Sequence, residues 1–187
     1  RVSEEFYDTV KDFDNVHNLI GDAAHQKKIA ELKLAMRKMQ LELFDSGLLP
    51  ESMRMLRAKQ NNMTIYEMVR HPKLYPLESY LDAADAALHR DKKNLPAFVT
   101  ALSHTDSGIR YWAVVGLYLL EKDAAPATDA IAKALNDESH QVRIMAAWTA
   151  VKLGRSKEGL GCLQNLLKNG TTAQRKLYNV LEWMDED

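Results

Sequence analysis

Six histidines, one cysteine and 26 carboxylates are the side chains of this 187-residue sequence best suited to chemistry, and their spacing decides what they can do. His17, His25, His71, His89, His104 and His140 are scattered, and no two stand three or four residues apart as a helix-borne metal pair would. Cys162 has no second cysteine to pair with or to share a metal, so no disulfide can close within the chain. It sits in GLGCLQNLL, on an apolar helical face, where a thiol is buried rather than activated. No glycine-rich loop of the phosphate-cradling kind is present. Aspartate and glutamate are abundant, yet no spacing singles out a pair for acid–base work. The residues alone therefore predict no catalytic, cofactor-binding or metal-ligating group in this segment.

Composition narrows the remaining classes. Hydrophobic residues make up 46% and charged residues 27%, a balance that supports a globular fold without disulfides or metal. The formal charge is -1 with no basic stripe, which argues against binding to nucleic acid, since that mode needs clustered Lys and Arg to neutralise phosphates. No apolar run reaches membrane-spanning length, so no membrane partner is expected. Asn62-Met63-Thr64 and Asn169-Gly170-Thr171 have the letters of glycosylation sequons and read as chance occurrences. A single cysteine does not assign a redox compartment. A first residue of Arg followed at once by strand-like sequence predicts a piece of a longer protein.

The elements that would position these groups are mostly helices, because eight Gly and five Pro leave little punctuation. Phe6, Tyr7 and Val10 predict a short strand, closed by the turn-forming cluster Asp12-Phe13-Asp14-Asn15. Such a strand needs a partner that nothing else in the chain supplies. Residues before Asp14 are accordingly expected to fray or to pair with a neighbouring molecule. After Asp22, an N-cap candidate, Ile29, Leu32, Met36, Met39 and Leu43 fall three and four residues apart and line one face of a helix that stops near Gly47. The stripe spans only about two heptads, too short for a coiled coil, and predicts a packed surface helix with Met filling gaps in a core. PESMRMLRAKQ and MTIYEMVRHP predict two short helices, the second closed by Pro72.

The second half repeats itself. LSHTDSGIRYWAVVGLYLL from Leu102 aligns with LNDESHQVRIMAAWTAVKL from Leu135 at an offset of 33 residues. The alignment matches Ile109 with Val142, Arg110 with Arg143, Ala113 with Ala146 and Leu120 with Leu153. A fainter third copy begins at Leu167, 32 residues on, and sets Arg175 in the same register. Each copy reads as an apolar helix, a polar turn and a second apolar helix, a unit that buries its face only by stacking on neighbours. The L-x-D-x-x-x-x-V-R run of the second copy resembles HEAT repeats over roughly Leu95 to Asp187, with PLESYLDAADAAL from Pro76 as an earlier helix. The resemblance implies that Asp137, Arg110, Arg143 and Arg175 form a ladder tying adjacent turns, a role suited to the multidentate guanidinium. His104 occupies the place of the first copy's Asp and leaves that rung incomplete.

A second resemblance lies at the front of the chain. FYDTVKDFDNVHNLIGD is similar to the C-terminal sulfatase pattern of Leu-Tyr-Asp-Leu, a variable pair, Asp-Pro and a run ending in Asn-Leu. Tyr7, Asp8, Asp12, Asn18, Leu19 and Asp22 match it, and Phe13 replaces the proline. KMQLELFD, from Lys38 to Asp45, is similar to the end of heparan N-sulfatase-type enzymes, the N-sulfoglucosamine sulfohydrolases. This resemblance implies a parent of the alkaline-phosphatase-like superfamily that hydrolyses sulfate esters or sulfamates with a formylglycine and a calcium ion. It also implies a bacterial source and a periplasmic or secreted location. The Cys/Ser-x-Pro/Ala-x-Arg motif that yields the formylglycine is absent here, and Cys162 is followed by Leu163-Gln164-Asn165, so no catalytic or metal residue carries over. Gln40, Glu42 and Asp45, in the matching helix end, are the positions the resemblance would bring near the parent's substrate cleft.

The expectation is thus a mostly α protein: a short N-terminal strand and an amphipathic helix, then an α-helical HEAT-like solenoid. Residues 1–46 form the strand–helix piece of a sulfatase subdomain, 47–76 a helical connector and 77–187 the repeat domain. Its function is that of a non-catalytic C-terminal portion of a bacterial sulfatase, inactive alone, which braces an upstream catalytic domain and offers the solenoid to a protein partner or a second copy. The alternative is a stand-alone HEAT-like scaffold for a protein partner.

Overall fold

Apolar residues at helical spacing, broken by short polar turns, make this an all-α protein. The computed structural model describes residues 3–169, and among them there is no strand. No helix of the described residues is long and apolar enough to cross a membrane. The chain divides into two units, residues 1–45 and 46–187.

The first unit consists of a loop and one helix, α1 (Gln26–Glu42). The expected strand does not form, because side chains capture the backbone donors that a ladder would use. Asn18 Oδ1 accepts from Phe6 N at 3.0 Å, and Asp8 Oδ1 from Val10 N and Lys11 N at 3.1 and 3.2 Å. Asp12 accepts from Val16 N and His17 N at 3.1 and 2.7 Å. These are Asx-type turns, the competing use that Asp and Asn make of nearby amides. Leu19 N donates to Phe6 O at 2.7 Å and Asn18 Nδ2 to Glu4 O at 3.3 Å, so the loop closes on itself. Asp22 then caps a 3-10 turn (Ala23–His25) that runs into α1, accepting from Ala24 N at 2.9 Å.

Along α1 only Ile29 of the apolar stripe is buried. Leu32, Met36, Met39 and Leu43 are 52%, 53%, 53% and 66% exposed, which corrects the expectation of a packed helix with methionine in a core. A unit of one helix and one polar loop holds no second apolar face to cover the stripe.

The second unit contains α2 (Glu51–Gln60), α3 (Ile65–Met68), α4 (Leu77–Leu88), α5 (Leu95–Ala101), α6 (Ser107–Leu119), α7 (Thr128–Ala134), α8 (His140–Lys152) and α9 (Ser156–Asn169). The two aligned stretches from Leu102 and Leu135 hold α6 and α8, and α5 and α7 precede them in the same 33-residue register. Helix α5 packs on α6 and α7 on α8, while α4 packs on α6, α6 on α8 and α8 on α9. Phe98, Leu117, Leu120 and Ile131 form one buried cluster, and Ile144, Ala147, Leu163 and Leu166 another. The third copy continues past Asn169, outside the described residues.

Few glycines are needed because ordinary residues make most of the reversals. Phe44, Asn62, Arg90 and Glu121, just past the ends of α1, α2, α4 and α6, have φ of 53°, 52°, 50° and 53°. That left-handed stop usually falls to Gly, as at Gly154 after α8, since a Cβ there costs about 1–2 kcal/mol.

Glycine is required instead where helices touch. A Cβ on Gly159 would stand 2.5 Å from the Ala147 carbonyl oxygen, whereas one on Gly161, in the same helix, would meet nothing within 4 Å. Gly159→Ala is expected to force α8 and α9 apart and lower stability by about 1–3 kcal/mol. Gly161→Ala should raise it by roughly 0.5–1 kcal/mol through helix propensity. Urea unfolding of the two variants checks the opposite signs.

Candidate functional site

The polar side chains of the second unit converge on the turns that precede α6 and α8. Arg110, on the first turn of α6, is the best-satisfied of them. Its Nε and Nη2 grip Asp137 Oδ2 and Oδ1 at 2.7 and 2.9 Å, and Nη2 also reaches Glu138 Oε1 at 3.0 Å. Nη1 donates to the carbonyls of His104 and Thr105 at 2.8 and 3.0 Å. The Arg110 and Asp137 side chains are 7% and 10% exposed, and the bonds from Asp137 hold the guanidinium pKa above its ordinary value. One side chain thus ties its own turn to the next one.

The matching rung one layer earlier uses residues that sequence spacing did not reveal. Asp106 accepts from Arg57 Nη1 at 3.0 Å and from the Tyr80 hydroxyl at 2.9 Å, and caps α6 through Gly108 N and Ile109 N. Arg57 also donates to Leu74 O, Ser107 Oγ and Tyr80 Oη. Burial, and secondarily the Asp106 charge, push the Tyr80 phenol well above its usual range against the pull of Arg57. The one signal for this cluster was Asp106 as an N-cap just before an apolar run. Arg57 lies 49 residues away, beyond the reach of any local pattern.

His104 completes the comparison. Its Nδ1 accepts from Asp106 N at 2.9 Å, as Asp137 Oδ1 accepts from Ser139 N at 2.7 Å. The imidazole therefore does the turn-closing half of the aspartate's work, while Asp106 supplies the carboxylate two residues later.

Between α2 and these turns lies a cleft of about 320 Å³, lined in part by Met53, Arg57, Gln60, Ser139, His140 and Gln141. Gln141 Nε2 donates to Ser52 Oγ at 2.7 Å, which joins α8 to α2. Burial, then the nearby Arg143 charge, lower the His140 pKa. The hydroxyls here are engaged otherwise than by a base: Ser107 Oγ accepts from Arg57 and Ser139 Oγ contacts Gln141 Oε1 at 3.3 Å. The arrangement can hold a polar group and offers no nucleophile–base pair.

The remaining sequence-derived positions fall elsewhere. Arg143 sits on the first turn of α8, and Arg175 lies outside the described residues. In the first unit Gln40 Nε2 donates to Asp45 Oδ2 at 3.1 Å, and Glu42 is exposed, 3.7 Å from Lys38 Nζ. The residues matching the sulfatase pattern, Asp8, Asp12, Asn18 and Asp22, all hold backbone amides of the loop, and those bonds keep the three carboxyl pKa values below the ordinary range. Cys162 is half-buried 3.5 Å from Leu135 O, and burial pushes its thiol up. Among the described residues no group of three or more His, Cys, Asp or Glu is placed to hold a metal ion. No family model matches the chain, and neither a curated protein nor a solved structure matches it.

Asp137→Ala strands a buried guanidinium and is expected to cost about 3–5 kcal/mol. Glu158→Ala, which removes an exposed, solvent-screened partner of Arg155, should cost far less. Chemical denaturation of both variants measures the contrast. For Tyr80, a folded pKa above the unfolded one means that its proton-linked stability is complete below the ordinary phenol value, about 10, and is lost as pH rises past it. Stability should fall on the alkaline side, and Tyr80→Phe should flatten that slope in unfolding curves taken at a series of pH values.

Proposed function

We propose that this chain is the non-catalytic C-terminal portion of a sulfatase-type hydrolase of sulfate esters or sulfamates. In this reading residues 3–45 dock on a catalytic domain, and the second unit is a HEAT-like brace that presents a protein-interaction surface. The observation that carries the reading is the uncovered apolar face of the first unit. Of its described large apolar residues Ile29 alone is buried, while Val10, Phe13, Val16, Leu32, Leu34, Met36, Met39 and Leu43 are all more than half exposed. A piece with so little core is built to be completed by another surface, because isolated apolar stripes of this length are unfavourable in water. The residues that match the sulfatase pattern support the same reading from another side. Asp8, Asp12, Asn18 and Asp22 shape the loop beside α1 by holding its backbone amides, a structural use that suits a segment fitted against a catalytic domain. A periplasmic or secreted location, and calcium and formylglycine in the catalytic domain, follow from the same reading.

The first test is the coding sequence upstream of Arg1. A long α/β region carrying Cys/Ser-x-Pro-x-Arg supports the proposal, and a start codon close by overturns it in favour of a stand-alone scaffold. The second test uses the purified chain, which should not turn over a chromogenic aryl sulfate or a glucosamine sulfamate. A third separates docking from folding. Leu32→Asp and Met39→Asp should change the chain's own unfolding free energy by no more than about 0.5 kcal/mol, as exposed positions do. In the parent enzyme each should cost about 1.5–3 kcal/mol, the value of a buried Leu or Met, read as a drop in melting temperature.

A further inference from the structure

Arg143 is the counterpart of Arg110 in sequence and in place, each the fourth residue of its helix, yet the two guanidinium groups are in opposite states. Arg110 has spent all three of its nitrogens on two carboxylates and two carbonyls. Among the described residues the Arg143 guanidinium has no hydrogen-bond or ion-pair partner, and its Nε is buried without an acceptor. Among the described residues, Arg54 Nε is the other buried side-chain donor in this condition, and the Arg54 guanidinium still donates from Nη1 to Ser46 Oγ at 2.8 Å. An orphaned, buried guanidinium donor carries a desolvation penalty that an acceptor would remove.

The chain's own register does not supply the acceptor. The position corresponding to Asp137 one copy on is Asn169, an exposed amide whose Nδ2 contacts Asn165 Oδ1 at 3.4 Å. The rung that Arg110 completes with a carboxylate is therefore uncharged at Arg143. What lies in front of Arg143 is a cleft of about 300 Å³, with Leu135 and Leu166 on its wall and the amides of Asn136 and Asn165 at its edge. Glu158 and Cys162 also line it. The Glu158 charge is held by Arg155, whose Nε and Nη2 donate to it at 2.6 and 2.8 Å, so it does not neutralise Arg143. The Cys162 thiol, pushed up by burial, adds no negative charge at neutral pH.

We propose that Arg143 is a receptor for a carboxylate, gripped through Nε and Nη as Arg110 grips Asp137, with the Asn136 and Asn165 amides available to the remaining lone pairs. The planar fork and the buried Nε–H select a two-oxygen anion over a point charge. The carboxylate can come from this chain's own acidic residues Glu182, Asp185, Glu186 and Asp187, or from an acid free in solution. The shared chemistry is the same, and the experiment separates the sources.

The full chain is labelled with ¹⁵N-arginine, and the Arg143 Nε–H signal is assigned by its disappearance in Arg143→Lys. Its hydrogen exchange is followed in chloride buffer, then on titration with acetate. The same measurements are made on a variant carrying Glu182→Gln, Asp185→Asn, Glu186→Gln and Asp187→Asn, four near-isosteric changes that remove the charge. If the chain's own acids bind, the wild-type signal is protected at the outset by about tenfold or more, and the variant loses that protection. If a free acid binds, the signal is unprotected in chloride and becomes protected saturably with acetate. Protection that survives neutralisation of the four acids in the absence of acetate overturns the proposal. So does a signal that neither starts protected nor responds to acetate, or one that responds equally to chloride.

Discussion

The bidentate grip of Arg110 on Asp137 is the interaction around which the second unit is arranged. It joins two consecutive turns, satisfies the carbonyls of the turn it starts from, and fixes the start of α8 through the Asp137–Ser139 bond. A buried ion pair adds little net stability over an apolar replacement, since desolvation of both charges offsets their attraction. Its consequence is geometric. With one guanidinium bonded to two turns, helices that are otherwise apolar and smooth have a single depth at which they can stack.

The Arg57–Tyr80–Asp106 cluster repeats that logic with different residues. There the arginine comes from α2, the carboxylate is also the cap of α6, and a tyrosine hydroxyl fills the remaining lone pairs. His104 closes the turn in place of an aspartate. The sequence motif is broken, but the physical job is done in full, because what the turn needs is an acceptor for one backbone N–H and a carboxylate for one guanidinium. Either can shift by two residues without disturbing the helices.

The first unit is organised by the opposite principle. Its loop is held by side-chain oxygens rather than by a core, and its helix leaves its apolar face in water. Local hydrogen bonds give the loop its shape, and the apolar stripe of α1 adds little to its core. The second unit, with its buried clusters around Phe98 and Leu163, can be stable by itself.

The sequence by itself determined the helices. The spacing of apolar residues placed the helices of the second half, and the 33-residue offset identified Arg110 and Arg143 as equivalent positions and Asp137 as the counterpart of His104. It also identified Asp22 as a cap. It failed at the opening, where Phe6, Tyr7 and Val10 read as a strand, because β propensity is a statement about side chains and the amides were already claimed by Asp8, Asp12 and Asn18. The amphipathic stripe on α1 was legible, but periodicity shows only that a face is apolar and not whether anything covers it. The meeting of Arg57 and Tyr80 with Asp106 was not legible, since the three are scattered over 49 residues and meet only when the helices stack. The same holds for the contrast between Arg110 and Arg143. Two identical letters in identical register became a satisfied pair and an open site, because an arginine's state depends on which carboxylate the fold brings to it.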